Sequence, residues 1–255
     1  MGAAAVSAAR ALAPDAAHAD VHYMMTMTTM PSRLNAGLEK LVFTMLDGLP
    51  QNFTLALNVP AVLKRTGVAY PAVPSGLQQH PRVRVFRTDD LGPITKVLPT
   101  LQRVAAAQYA CVVIVIDDDV LYPAAYIADL ARGMAPGTKY IKGDTSRAYY
   151  YAGRVPEGVK GYVLPSGLIT PGLLQLLQRF AATKACAGAD DYALGAAFGQ
   201  SHIELREYVR PAHVPEIQQL APMEPGSLAF LSLQQDADLR ARYNACRTEI
   251  GPAYT

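Results

Sequence analysis

The feature that most constrains this chain is the run Cys111–Ile116, CVVIVI, which leads directly into Asp117-Asp118-Asp119. It is the most apolar stretch in the sequence. A short, β-branched run of this kind reads as a strand buried on both faces, as in a parallel sheet. In open α/β sheets a ligand sits beyond the carboxyl ends of the strands. Three adjacent carboxylates repel one another unless a cation or hydrogen bonds offset the charge. Oxygen ligands of this type suit Mg²⁺ or Mn²⁺, held by one or two carboxylates with diphosphate oxygens completing the shell. Such an ion neutralises charge on a departing nucleoside diphosphate. The competing reading is a solvated acidic turn that caps a helix beginning near Pro123.

The pattern around this strand sets the fold class. Residues 21–30 (VHYMMTMTTM) read as a first strand, and 33–46 as a helix with Leu34, Leu38, Leu41, Val42 and Met45 on one side. Residues 53–59 form a second strand, 70–81 a proline-rich loop, and 82–86 a strand with one wet face. Residues 94–108 read as helical despite Pro99. Strands and helices therefore alternate, which predicts an α/β layered fold with a central, mostly parallel sheet flanked by helices. The second half is less regular. It offers strands at 138–142, 161–170 (with a turn) and 203–208, and helices at 173–180, 192–198 and 236–250, with aromatic Tyr149-Tyr150-Tyr151 between. No repeat or linker interrupts it, so residues 21–255 read as a single domain.

Composition narrows the classes. Of the 255 residues 51% are hydrophobic, enough for one sizeable core. No apolar run approaches the roughly 20 residues that span a bilayer. The net charge is +2, with no block of Lys and Arg, which argues against nucleic acid or anionic lipid as main partner. Cys111, Cys186 and Cys246 are odd in number and widely spaced. They suggest neither a zinc site nor a disulfide framework, and fit a reducing, cytoplasmic setting. The Ala-rich residues 1–20 read as a flexible lead-in, because Arg10 and Pro14 interrupt them and no basic cluster opens them.

Other residues carry candidate chemistry. Asp190-Asp191 precede a helical stretch. They suit either an N-cap or a general base acting on an acceptor hydroxyl. Lys96, in the turn Gly92-Pro93-Ile94-Thr95-Lys96, lies near a helix start, where a cation is disfavoured unless it serves an anion or a carboxylate. Thr28, Thr29, Ser32 and Arg33 follow the first strand. They can hold a nucleoside or phosphate, or form turn and capping contacts around Pro31. The five histidines show no metal or triad spacing. Walker and GxGxxG loops are absent, which weakens kinase and dehydrogenase readings.

Taken in order, TTMPSR at 28–33, GPITK at 92–96, VIDDDVLYP at 115–123 and ADDY at 189–192 resemble the GT-A-fold glycosyltransferases. The resemblance is strongest to the small group that includes a chlorovirus rhamnosyltransferase domain. LPSGLITPGLL and RYNAC, at 242–246, are similar too, and the likeness covers roughly residues 21 to 250. It implies a nucleotide-diphosphate sugar donor, with UDP-sugars favoured, a glycan acceptor, and Mn²⁺ or Mg²⁺ bound through a DXD-type motif. It places Asp117 toward the ribose as well as the metal, Asp118 beside the nucleotide, and Asp119 on the metal. Thr28, Thr29 and Arg33 fall at the nucleoside and Lys96 at the donor. Asp191, with Asp190 as alternate, falls at the base of an inverting enzyme, although the commoner pairing there is Glu-Asp. The sequence has no tryptophan, so sugar stacking would use Tyr or Phe. Two other functions fit the same carboxylates: nucleotidyl transfer, and a non-catalytic nucleotide- or carbohydrate-binding domain.

Overall fold

The computed structural model describes residues 21–35, 37–145, 155–186, 188–220 and 236–251, apart from the side chains of 236–240 and 242. The lead-in at 1–20 and Tyr149-Tyr150-Tyr151 lie outside the described residues. A seven-stranded sheet forms the centre, in the order β10-β8-β9-β6-β1-β2-β5. Its strands are β1 (Tyr23–Thr28), β2 (Phe53–Pro60), β5 (Val83–Thr88), β6 (Val112–Val115), β8 (Tyr140–Gly143), β9 (Tyr162–Pro165) and β10 (Glu204–Glu207). β5, β2, β1 and β6 run parallel, as do β8 and β10, while β9 is antiparallel to both its neighbours.

Two apolar layers bury the sheet, and alternation along β6 feeds both. Val112 and Ile114 face α2 (Leu38–Asp47), α3 (Ser75–Gln79) and α5 (Ala124–Ala131). Val113 and Val115 face α4 (Leu98–Ala106), α6 (Pro171–Ala182) and α7 (Asp190–Gln200). All four β6 side chains are fully buried, which is why this strand reads as one apolar run. From β1 the chain moves outward through β2 to β5, then returns to place β6 on the other side of β1. The crevice between the carboxyl ends of β1 and β6 is therefore the switch point of the sheet, where ligands bind in such folds.

Several local expectations need correction. The helix expected over 33–46 is two helices, α1 (Pro31–Asn35) and α2, broken where Gly37 takes φ 105°. Such a left-handed turn suits glycine because it carries no Cβ. The loop expected over 70–81 contains the short helix α3. The helix expected from 94 opens with a 3₁₀ turn at Ile94–Lys96, and Pro99 falls in the first turn of α4, where its missing N–H costs nothing. The hairpin of β3 (Val62–Leu63) and β4 (Val68–Ala69) was not expected. Neither was the pairing of β7 (Val120–Leu121) with β11 (Gln218–Gln219). These strands are two residues long, too short for any period to register.

The reading of the cysteines is also overturned. Cys186 and Cys246 form a disulfide across a sequence separation of 60, and only Cys111 is free. The bond ties the 3₁₀ turn Lys184–Cys186 to α8 (Asp236–Ile250), a proximity that spacing could not reveal. Disulfides persist in oxidising surroundings, so cysteine usage no longer argues for a reducing compartment. α8 is also held by Tyr192, whose hydroxyl donates to the Gly251 carbonyl at 3.0 Å, and by Gln200, which donates to the Ile250 carbonyl at 2.6 Å. Replacing both paired cysteines with serine is expected to lower stability by about 2–4 kcal/mol. Denaturant unfolding of the oxidised, reduced and substituted proteins measures this, and coincident midpoints would contradict it. No helix among the described residues is long and apolar enough to cross a membrane.

Candidate active site

Two carboxylate clusters meet two cations, the buried Lys96 and the partly buried Arg33, near the carboxyl ends of β1 and β6. The first cluster forms where β1 and β6 end side by side. Asp118 accepts from Thr29 Oγ1 at 2.7 Å, from the Met30 N–H at 3.3 Å and from Arg33 Nη1 at 2.6 Å. Arg33 also pairs with Asp119, Nη2 to Oδ2 at 3.2 Å. Thr29, Arg33 and Asp118, all expected to face a nucleotide, are thus engaged with one another. Thr28 turns to the sheet instead, and its hydroxyl donates to the Asn58 carbonyl at 2.9 Å.

The second cluster is centred on Lys96. Its Nζ lies 2.9 Å from Asp117 Oδ1 and 3.0 Å from Asp190 Oδ2. Lys96 is a buried cation (6% exposed) serving two carboxylates that stand far apart in sequence. Its backbone is fixed by a polar layer inside the core. Thr26 Oγ1 donates to the Lys96 carbonyl at 2.6 Å, and Asn58 Nδ2 donates to Thr26 and Thr100. Asp191 accepts from the Gly158 N–H at 3.2 Å. Asp190 and Asp191 occupy the first turn of α7, after an Ala189 N-cap that provides no side-chain bond. They favour the helix dipole there without capping it. The three aspartates after β6 do not cap α5 either, since that helix has Pro123 at its N-cap and no side-chain bond.

The protonation chemistry follows from burial and proximity. For Lys96, burial favours the neutral form, but Asp117, Asp190 and Asp191 together outweigh it and hold the ammonium well above the ordinary lysine range. Asp117, Asp118 and Asp119 are each raised, chiefly by burial, with Lys96 or Arg33 pulling back. Asp191 is pushed up to about 8, first by burial and then by the charge of Asp190. A carboxylate raised in this way suits proton transfer near neutral pH.

Among the described residues no three His, Cys, Asp or Glu side chains converge as a protein-only cage. Asp118 spends its carboxylate on three donors, whereas Asp117 and Asp119 are more open, with side chains 25% and 19% exposed. Two such carboxylates fit the pattern in which a substrate diphosphate supplies the remaining ligands. A cleft of about 930 Å³ is lined among others by Arg65, Asp89, Asp90, Gln178 and Lys184, and by none of the clustered aspartates, Arg33 or Lys96. Burial lowers the Arg65 guanidinium from its ordinary value, and Asp90 opposes that shift.

Sequence reasoning missed three participants. Tyr122 accepts from the Asp117 N–H at 3.1 Å and donates to the Val159 carbonyl at 2.9 Å. Gly158 lies against both Lys96 and Asp191. Tyr162, fully buried, places a hydroxyl among Lys96, Asp190 and Asp191 with no hydrogen-bond partner among the described residues. Only the expected donor motif VIDDDVLYP contained one of these, Tyr122. The other two lie in a segment with no local motif.

No protein-family model matches the sequence, and no curated protein does. Solved structures do. The chain aligns over 98% of its length with 72% of mannosyltransferase PcManGT from Pyrobaculum calidifontis, solved in complex with GDP-Man and Mn²⁺, at 14% identity and a TM-score of 0.53. A 4-diphosphocytidyl-2C-methyl-D-erythritol synthase aligns with 87% of this chain and 99% of its own at 12% identity. The galactosyltransferase LgtC, with donor and acceptor sugar analogs, aligns with 57% and 58% at 10% identity. Their TM-scores of 0.46 and 0.36 are too low to support a shared fold. The likeness to the mannosyltransferase extends to the fold: this chain is a mixed α/β protein with a GT-A-like, mostly parallel central sheet flanked by helices.

Proposed function

We propose that this protein is a metal-dependent glycosyltransferase that moves a sugar from a nucleoside-diphosphate donor to a glycan hydroxyl with inversion. The observation that carries the reading is the Lys96 ammonium, which spans Asp117 after β6 and Asp190 at the start of α7. It joins a donor-side carboxylate to an acidic pair suited to proton transfer, at the switch point of the sheet. The GT-A-like fold supports the reading. So does the order of the four motifs, which is also the basis for kinship with the chlorovirus rhamnosyltransferase-domain group.

Asp119 and Asp117 would hold Mn²⁺ or Mg²⁺ together with the donor diphosphate, and a bound ion would neutralise the departing charge. Arg33 and Lys96 add fixed positive charge beside it. Asp191 takes the proton of the acceptor hydroxyl. The acceptor oxygen then bonds to the anomeric carbon as the bond from that carbon to the diphosphate oxygen breaks. Attack from the face opposite the leaving group inverts the anomeric centre.

The raised Asp191 carboxyl sets the pH dependence. The base works only when ionised, so kcat/KM is expected to climb with pH, with an acidic limb centred near 8. Asp190→Asn removes the neighbouring negative charge and is expected to move that limb to lower pH. A limb that stays fixed in the variant would remove Asp190 as a cause of the shift. The products test the reaction itself. Donor incubated with acceptor is expected to release a nucleoside diphosphate. Release of pyrophosphate from a nucleoside triphosphate would favour nucleotidyl transfer instead, and turnover of neither would favour a binding domain.

A further inference from the structure

The proposed chemistry leaves one contact unused, the backbone of Gly158 against Lys96. A Cβ placed on Gly158 would lie 2.3 Å from Lys96 Nζ and 3.1 Å from Asp191 Oδ1. Contacts below 3.0 Å are not tolerated, so one side must shift. Gly158 is not in a left-handed conformation, so the requirement at this position is for space.

Neither side can retreat freely. Behind Gly158, the Tyr122 hydroxyl donates to the Val159 carbonyl and bonds Asp117 on its other side. Tyr122 is itself fully buried. The Gly161 N–H closes the turn on the Gly158 carbonyl at 2.9 Å. On the other side, the Lys96 backbone is fixed by Thr26. The ammonium is the flexible end of its side chain, but it is held between Asp117 at 2.9 Å and Asp190 at 3.0 Å, so a shift lengthens at least one of these contacts. Gly158 meanwhile donates its N–H to Asp191.

We infer that Gly158 is a positioning residue: its missing side chain is the slot that keeps the Lys96 ammonium across Asp117 and Asp190, while its N–H orients Asp191. This rests on the sugar-transfer reading for its catalytic consequence, although the placement of Lys96 can be tested without it. A methyl group at 158 pushes the ammonium off one carboxylate and separates the donor side of the site from the acidic pair.

The test uses the full chain carrying Gly158→Ala, Lys96→Met, or both. Gly158→Ala is expected to lower kcat/KM on the order of 100-fold, the scale of a misplaced group in an active site. In the Lys96→Met background the same change is expected to add less than about twofold, because the group it displaces is gone. Independent losses that multiply would overturn the inference. Reductive methylation followed by peptide mass mapping reads the lysine directly. Lys96 is expected to be protected in the parent protein and labelled in Gly158→Ala, and equal protection in both would overturn the inference even if Lys96→Met does not fold. A parent protein that turns over no donor counts against sugar transfer, and the labelling then still decides the role of Gly158.

Discussion

Asp191→Asn is expected to lower sugar transfer by about 10²–10⁴-fold, the usual contribution of a positioned general base. Asparagine keeps the size of the side chain, and its amide oxygen can still accept from the Gly158 N–H. What it loses is the ability to take a proton. The Lys96 bridge involves Asp117 and Asp190, so it survives the change, and donor affinity should be nearly unchanged. Steady-state kinetics beside nucleotide titration separates the two effects. Turnover close to that of the parent protein would remove Asp191 from the role of base. Asp190→Asn then becomes the comparison to make.

Lys96→Met is expected to cost about 3–5 kcal/mol of stability, because it strips the cation from a buried ion pair and leaves carboxylates uncompensated. The loss should depend on pH in a defined direction. Asp117 and Asp191 already titrate above their ordinary value of 3.8, and Lys96 holds both down. Without it their folded-state values rise further. A carboxyl raised in the folded state contributes stability that is complete below its unfolded value and is lost as pH rises through the folded one. The deficit of Lys96→Met should therefore be small near pH 4 and grow toward and above neutrality. Denaturant unfolding across that range measures it. A deficit independent of pH would mean that Lys96 stabilises through packing, not charge.

What the sequence made legible follows from its local physics. CVVIVI followed by three aspartates announced a strand buried on both faces with its acids at the ligand end, because β-branched apolar runs and charge are both local properties. The alternation of strand and helix carried the fold class for the same reason. Lys96 could be suspected because a cation at a helix start is misplaced unless an anion answers it. That the anions are Asp117 and Asp190 was not legible, since sheet order brings them together across 21 and 94 positions. Gly158 and Tyr162 gave no hint, because a slot defined by a missing side chain exists only once the packing does. The Cys186–Cys246 bond escaped for a like reason, since it depends on how α8 docks against α7. The break at Gly37 was legible in principle, but the apolar spacing across it continued the helical period and concealed it.

The central claim, a metal-dependent nucleotide-sugar site at Asp117 and Asp119, is tested most directly by calorimetric titration of UDP and of GDP, each with Mn²⁺ and after chelation. Binding of one nucleotide in the micromolar range, abolished by chelation and by Asp119→Ala, is the predicted result, and the nucleotide that binds names the donor class. A folded protein that binds neither nucleotide, or binds one equally well without the ion and in Asp119→Ala, would contradict it.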